Sequence, residues 1–127
     1  MEYNYLPSTK IKVSKICLGT MTWGRQNTVK DAFDQMNSSI EHGVNFFDTA
    51  ELYPVPATPD KYAETEKIIG NWFNEFKKRD KIILATKIAG PGAYTAHIRK
   101  TGFKGNSIEE AVNGSLKRLK TDYIDLY

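Results

Sequence analysis

Short β-rich runs alternate along this chain with longer amphipathic stretches, and that alternation restricts the fold more than any other feature. The runs are Lys15–Leu18, Val44–Phe47, Ile82–Thr86 and Asp122–Tyr127. Between them, residues meant for burial recur every three or four positions. One set is Val29, Phe33, Met36 and Ile40, and a second is Ile68, Ile69, Trp72, Phe73 and Phe76. A third is Ile108, Ala111, Val112, Ser115, Leu116 and Leu119. Such spacing marks one face of a helix. Repeated strand–helix–strand units join parallel strands through right-handed crossovers. The expected sheet order is therefore 1-2-3-4, with the helices on its outer face.

Local signals place the boundaries. Thr28 with Asp31 begins the first helix, and Gly43 closes it. Pro54, Pro56 and Pro59 forbid helix after the second strand. The second helix is expected from Ala63 to Phe76, with Lys77, Lys78 and Arg79 as a solvated cap at its negative end. Ser107 with Glu110 reads as a capping box for the third. Ahead of these units, Tyr3 to Val13 alternates around P-S-T-K, which suggests a short hairpin. The stretch from Ala89 to Asn106 is long, polar and glycine-bearing. Loops of that length are often functional, and this one leaves the same end of the sheet as Lys87.

Composition narrows the classes. Hydrophobic content of 40% and charged content of 26% are ordinary for a water-soluble domain. The net charge of +3 is scattered, with no basic stripe interleaved with aromatics, so nucleic acid is not an expected partner. No apolar run approaches the roughly 20 residues of a membrane span, and the start M-E-Y-N-Y-L-P has no signal-peptide pattern. A single cysteine, Cys17, excludes an intrachain disulfide and suits reducing cytoplasm. It is expected to be a small buried residue of the first strand. Two distant histidines and one cysteine make no metal site.

The chemistry sits at strand ends. V-N-F-F-D-T-A-E-L-Y holds Asp48 and Tyr53, and I-I-L-A-T-K closes on Lys87. A tyrosine phenol is a poor acid near neutrality, with an unperturbed pKa of roughly 10. A nearby ammonium favours the phenolate, and a carboxylate can hold that ammonium in place. The three together form one proton-transfer scheme.

The segments L-G-T-M-T-W-G (Leu18–Gly24), F-D-T-A-E-L-Y (Phe47–Tyr53), A-T-K (Ala85–Lys87) and S-L-K-R-L-K-T-D-Y-I-D-L-Y (Ser115–Tyr127) resemble the aldo-keto reductases. The wording is most like that of the bacterial Tas-type branch. The resemblance implies an α/β fold, the amino-terminal half of a (β/α)8 TIM barrel preceded by a hairpin, with residues 1–127 as the incomplete amino-terminal part of a single barrel domain. A complete barrel takes roughly 250 residues. It implies NADPH-dependent reduction of aldehydes or ketones, with Tyr53 as general acid, Lys87 as its electrostatic partner and Asp48 paired to Lys87. Gly19, Thr20, Met21 and Gln26 would line the nicotinamide end of NADPH, with Asp48 on its ribose. No G-x-G-x-x-G motif opens a helix, so the Rossmann mode is absent. The family's fourth catalytic residue, a histidine shortly after D-L-Y, is not among these 127 residues. The isolated chain is therefore expected to show no turnover and little NADPH affinity. His42, at a helix end, and His97, in the long loop, are not expected to replace it. A non-catalytic, cofactor-sensing or assembly role within the same superfamily is the alternative. Substrate identity and oligomeric state are not written in these residues.

Overall fold

The computed structural model describes all 127 residues. An antiparallel pair, β1 (Tyr3–Tyr5) and β2 (Lys12–Ser14), opens the chain as the expected hairpin. Then follow β3 (Cys17–Gly19), α1 (Val29–Glu41), β4 (Phe46–Asp48), α2 (Glu64–Phe76), β5 (Ile83–Ala85) and α3 (Ser107–Leu119). Strands β3, β4 and β5 form a parallel sheet in chain order, with Leu18, Phe47 and Leu84 side by side. The architecture is that of successive βα units of a barrel, as the alternation predicts.

Why the helices form where they do is visible at their ends. Thr28 Oγ1 accepts from the Asp31 N–H at 3.2 Å while the Asp31 carboxylate accepts from the Thr28 N–H at 2.8 Å. Two orphan amides of α1 are thereby satisfied. Gly43 leaves the helix at φ +81°, a conformation that side chains disfavour. The core lies between the helices and one face of the sheet. Phe47 and Leu84 meet Met36 from α1, Ile69 and Trp72 from α2 and Leu119 from α3, none of them exposed to solvent. Gly70 permits a close approach of α2 to α3, since a Cβ there would lie 2.1 Å from the Arg118 carbonyl oxygen. No helix is long and apolar enough to cross a membrane.

Several expectations are corrected. The fourth strand, Asp122–Tyr127, is reduced to one parallel bridge between Leu126 and Ala85. The reason lies in Asp125. Leu126 donates to the Leu84 carbonyl at 3.2 Å, but the Leu84 N–H goes to the Asp125 carboxylate at 2.8 Å instead of to a backbone carbonyl. A side chain has taken a rung of the ladder. Arg79 belongs to the same knot and is not a solvated cap. It donates to Asp125 at 2.8 Å and to the Ile82 and Tyr123 carbonyls, and it stacks 3.8 Å above the Tyr123 ring.

The capping box at Ser107 does not form. Ser107 is the first helical residue, and its hydroxyl donates to the Lys104 carbonyl at 2.6 Å. Two residues assigned to helix faces, Val29 and Ile108, are about half exposed, at 47% and 49%. Cys17 is exposed as well, not buried. Alternation along β3 sends Leu18 toward the core and leaves Cys17 on the opposite face of the sheet.

Candidate active site

Alternation along β4 also sets the site. Phe47 enters the core, so Asp48 projects from the other face at the carboxyl end of the strand. Lys87 follows β5 by two residues. Its Nζ donates to Asp48 Oδ1 at 3.0 Å, to Oδ2 at 2.9 Å and to the Thr49 carbonyl at 2.7 Å. The same nitrogen stands 4.8 Å from the centroid of the Tyr53 ring. Tyr53 is half-buried and tied down by its backbone, donating to the Ala50 carbonyl at 3.2 Å and accepting from Thr65 at the start of α2. A carboxylate, an ammonium and an aromatic ring from two strand ends thus meet in one cluster. All three of the ammonium's protons are engaged, so its influence on the phenol is that of a charge over a π face.

The thiol of Cys17 shares this side of the sheet. Its pKa is raised, chiefly by partial burial and then by the Asp48 charge, with Lys87 acting in the opposite direction.

The residues expected along a nicotinamide separate into groups. Gly19 pairs with Asp48 in the β3–β4 register, and a Cβ there would meet nothing within 4 Å. Met21 is 51% exposed, and its carbonyl accepts from Val55 at 2.9 Å, joining the loops that follow β3 and β4. Thr20 is fully buried, and its hydroxyl donates to the Asp48 carbonyl at 2.9 Å. It steadies Asp48 from behind. Gln26 is exposed and lines a separate shallow hollow with Lys61 and Glu64. The two histidines are engaged elsewhere. His42 Nδ1 lies 2.8 Å from the Ser38 carbonyl oxygen, and His97 sits edge-on to Tyr62. The largest concavity, about 800 Å³, lies between the carboxyl ends of α2 and α3, lined by residues such as Phe73, Lys77, Leu116 and Tyr123. It touches none of Asp48, Tyr53, Lys87 and the residues expected along the nicotinamide.

Two buried carboxylates were not singled out from the sequence. Glu51, 1% exposed, receives Arg99 through two bonds of 2.8 Å, the Ala89 N–H at 2.8 Å and the Tyr62 hydroxyl at 3.1 Å. Burial raises its pKa, but the Arg99 and Ala89 bonds outweigh that and hold it below its ordinary value. Tyr62 is pushed up to about 12, mainly by burial, so its phenol stays protonated and donates. Glu66, fully buried, accepts from Arg118 at 2.6 Å and from Thr86 at 2.7 Å. Glu66 had a signal, because it lies three residues before Ile69 and seven before Phe73 on the inward stripe of α2. Glu51 had a weaker one, an acid set between Ala50 and Leu52.

Comparison with known proteins bears on the family and the fold. The sequence profile of the Aldo/keto reductase family matches residues 15–127. The chain is 42% identical over 129 residues to Protein tas of Escherichia coli, covering all of this chain and 37% of that protein. It is 35% identical over 130 residues to a probable voltage-gated potassium channel subunit beta of Arabidopsis thaliana, covering 99% of this chain and 36% of that one. A solved structure described as a putative aldo-keto reductase from Pseudomonas aeruginosa superposes with a TM-score of 0.73 at 25% identity, over 96% of this chain and 43% of that one. The chain therefore spans about two fifths of the length of the relatives it matches. On the profile match over residues 15–127, this chain belongs to the aldo/keto reductase family.

Proposed function

We propose that the chain serves an oxidoreductase of the cytoplasm that reduces aldehydes or ketones to alcohols with NADPH. The observation that carries this reading is the Lys87 ammonium, held by Asp48 and standing over the Tyr53 ring. The reduced nicotinamide, when bound, supplies a hydride to the carbonyl carbon. Tyr53 donates a hydrogen bond to the carbonyl oxygen and gives up its proton as that oxygen becomes an alkoxide. The product is the alcohol, and Tyr53 is left as phenolate. Lys87 stabilises that phenolate until water returns a proton, and Asp48 keeps Lys87 in place. NADPH is the cofactor that the family implies. Residues fitting its nicotinamide end are the exposed thioether of Met21, the open face at Gly19 and the half-exposed Asp48 carboxylate, an acceptor for ribose hydroxyls.

The test compares wild type with Tyr53→Phe in a protein where this segment sits in a complete barrel. Carbonyl-dependent NADPH oxidation should fall about 10²–10⁴-fold, the usual worth of general acid catalysis, with NADPH affinity little changed. The ring and its contacts remain while the transferable proton is gone. Equal turnover by the two proteins would remove Tyr53 from the chemistry. It would then favour a non-catalytic, cofactor-sensing or assembly role, of which the assembly part is supported by the similarity to a protein named as a channel subunit.

A further inference from the structure

Beyond the paired residues of β4 and β5 the parallel ladder continues. The Thr49 N–H donates to the Ala85 carbonyl at 2.9 Å, and the Glu51 N–H donates to the Lys87 carbonyl at 3.0 Å. Two residues past Lys87, the Ala89 N–H does not meet a backbone oxygen. It meets Glu51 Oε2 at 2.8 Å. The carboxylate stands where the next rung's carbonyl would be, and three further donor contacts from Arg99 and Tyr62 hold it there. Lys87 is thus bracketed, its own carbonyl bonded to the Glu51 backbone and the residue two beyond it bonded to the Glu51 side chain. Tyr53 lies two residues beyond Glu51 on the same turn.

The geometry points to Glu51 as the positioning residue that sets Lys87 against Asp48 and Tyr53, with Arg99 of the long loop as its clamp. This rests on reading those three residues as the proton-delivery group. Glu51 is buried and reaches neither substrate nor cofactor space; it acts through the backbone of Lys87. The clamp also gives the loop of residues 89–106 a role, because docking Arg99 neutralises a carboxylate that would otherwise be buried with no counter-charge.

The experiment follows the side-chain ammonium of Lys87 by ¹H–¹⁵N NMR in the 127-residue chain, at mildly acidic pH where such protons exchange slowly. In wild type, three acceptors should make its protons among the slowest of the lysines. In Glu51→Gln their exchange should quicken about tenfold or more, the size expected when a charge-assisted hydrogen bond is lost. The amides of Ile69 and Leu84, buried in the core, should keep their protection. Arg99→Lys, which keeps the charge but loses the two-pronged contact, should move Lys87 in the same direction by less. It decides the matter alone if Glu51→Gln does not fold. Tyr62→Phe, removing one donor of four, should leave Lys87 close to wild type. Unchanged Lys87 exchange in folded Glu51→Gln or Arg99→Lys would overturn the inference. That signal is independent of turnover, so its failure is distinct from an active Tyr53→Phe.

Discussion

At the scale of single residues, the ionisable groups around the site divide by environment. Asp48 and Lys87 retain 39% and 46% side-chain exposure, so water screens their pair, whereas Glu51 is 1% exposed and depends wholly on protein donors. A pH dependence follows for Glu51. A carboxylate whose folded pKa is depressed contributes stability that is complete above its unfolded value and is lost as pH falls through the folded one. Glu51→Gln should therefore cost most at neutral pH, about 3–5 kcal/mol as for breaking a buried pair. The gap to wild type should close as the medium is acidified past the usual carboxylate range. Urea unfolding midpoints of both proteins at several pH values measure this, and a constant gap would mean that Glu51 carries no such linkage. Asp48 and Lys87 could be placed together from sequence because each stands just after a β-rich run, and Tyr53 could be placed near them because its loop follows Asp48 directly. Glu51 with Arg99, and Glu66 with Arg118, were not. Their partners lie 48 and 52 positions apart, and neither periodicity nor turn chemistry links residues so distant.

At the scale of elements, β5 and the segment that follows it are finished by carboxylates acting in place of backbone carbonyls: Asp125 on the Leu84 N–H and Glu51 on the Ala89 N–H. This explains why strand order and helix positions were readable in advance while strand ends were not. Apolar periodicity reports which face is buried, but the choice between a backbone and a side-chain acceptor is made by tertiary contacts. The same limit applies at Ser107, where the nearby Lys104 carbonyl and Thr101 hydroxyl took a side chain that resembled a cap. Helix packing offers a sharper prediction. A Cβ on Gly70 would sit 2.1 Å from the Arg118 carbonyl oxygen and 2.8 Å from the Leu119 carbonyl carbon, both backbone atoms that cannot rotate away. Gly70→Ala gains helix propensity worth up to about 1 kcal/mol, yet it must push α2 and α3 apart. Overpacking of that kind costs about 1–3 kcal/mol or more, so net destabilisation is expected. A melting temperature at or above wild type would show that the two helices have room to separate.

At the scale of the whole molecule, stability should be graded across the sheet. Strand β4 has hydrogen-bonded neighbours on both sides, and its Phe47 is fully buried beneath the aromatic cluster of α2. Strand β3 is bonded along one side only. On the opposite flank, Leu126 joins β5 through a single bridge and is 43% exposed. Opening free energies follow local burial and ladder depth, from near zero at frayed edges to the global value in the centre. Amide exchange should therefore be slowest for residues of β4 and for Leu84, faster in Cys17–Gly19 and fastest of these at Leu126. The Arg79 knot adds a refinement. Because Asp125 is tied to both Arg79 and the Leu84 N–H, Arg79→Met should release Asp125 and quicken exchange at Leu84 and Leu126 together. Exchange at Phe47 should stay as it was, shielded by its own two neighbours. Uniform exchange across the sheet, or an Arg79→Met effect as large at Phe47 as at Leu126, would mean that the sheet opens as one unit. The Glu51 clamp and the Arg79 knot would then be parts of a single cooperative core instead of separate fastenings at the two ends of β5.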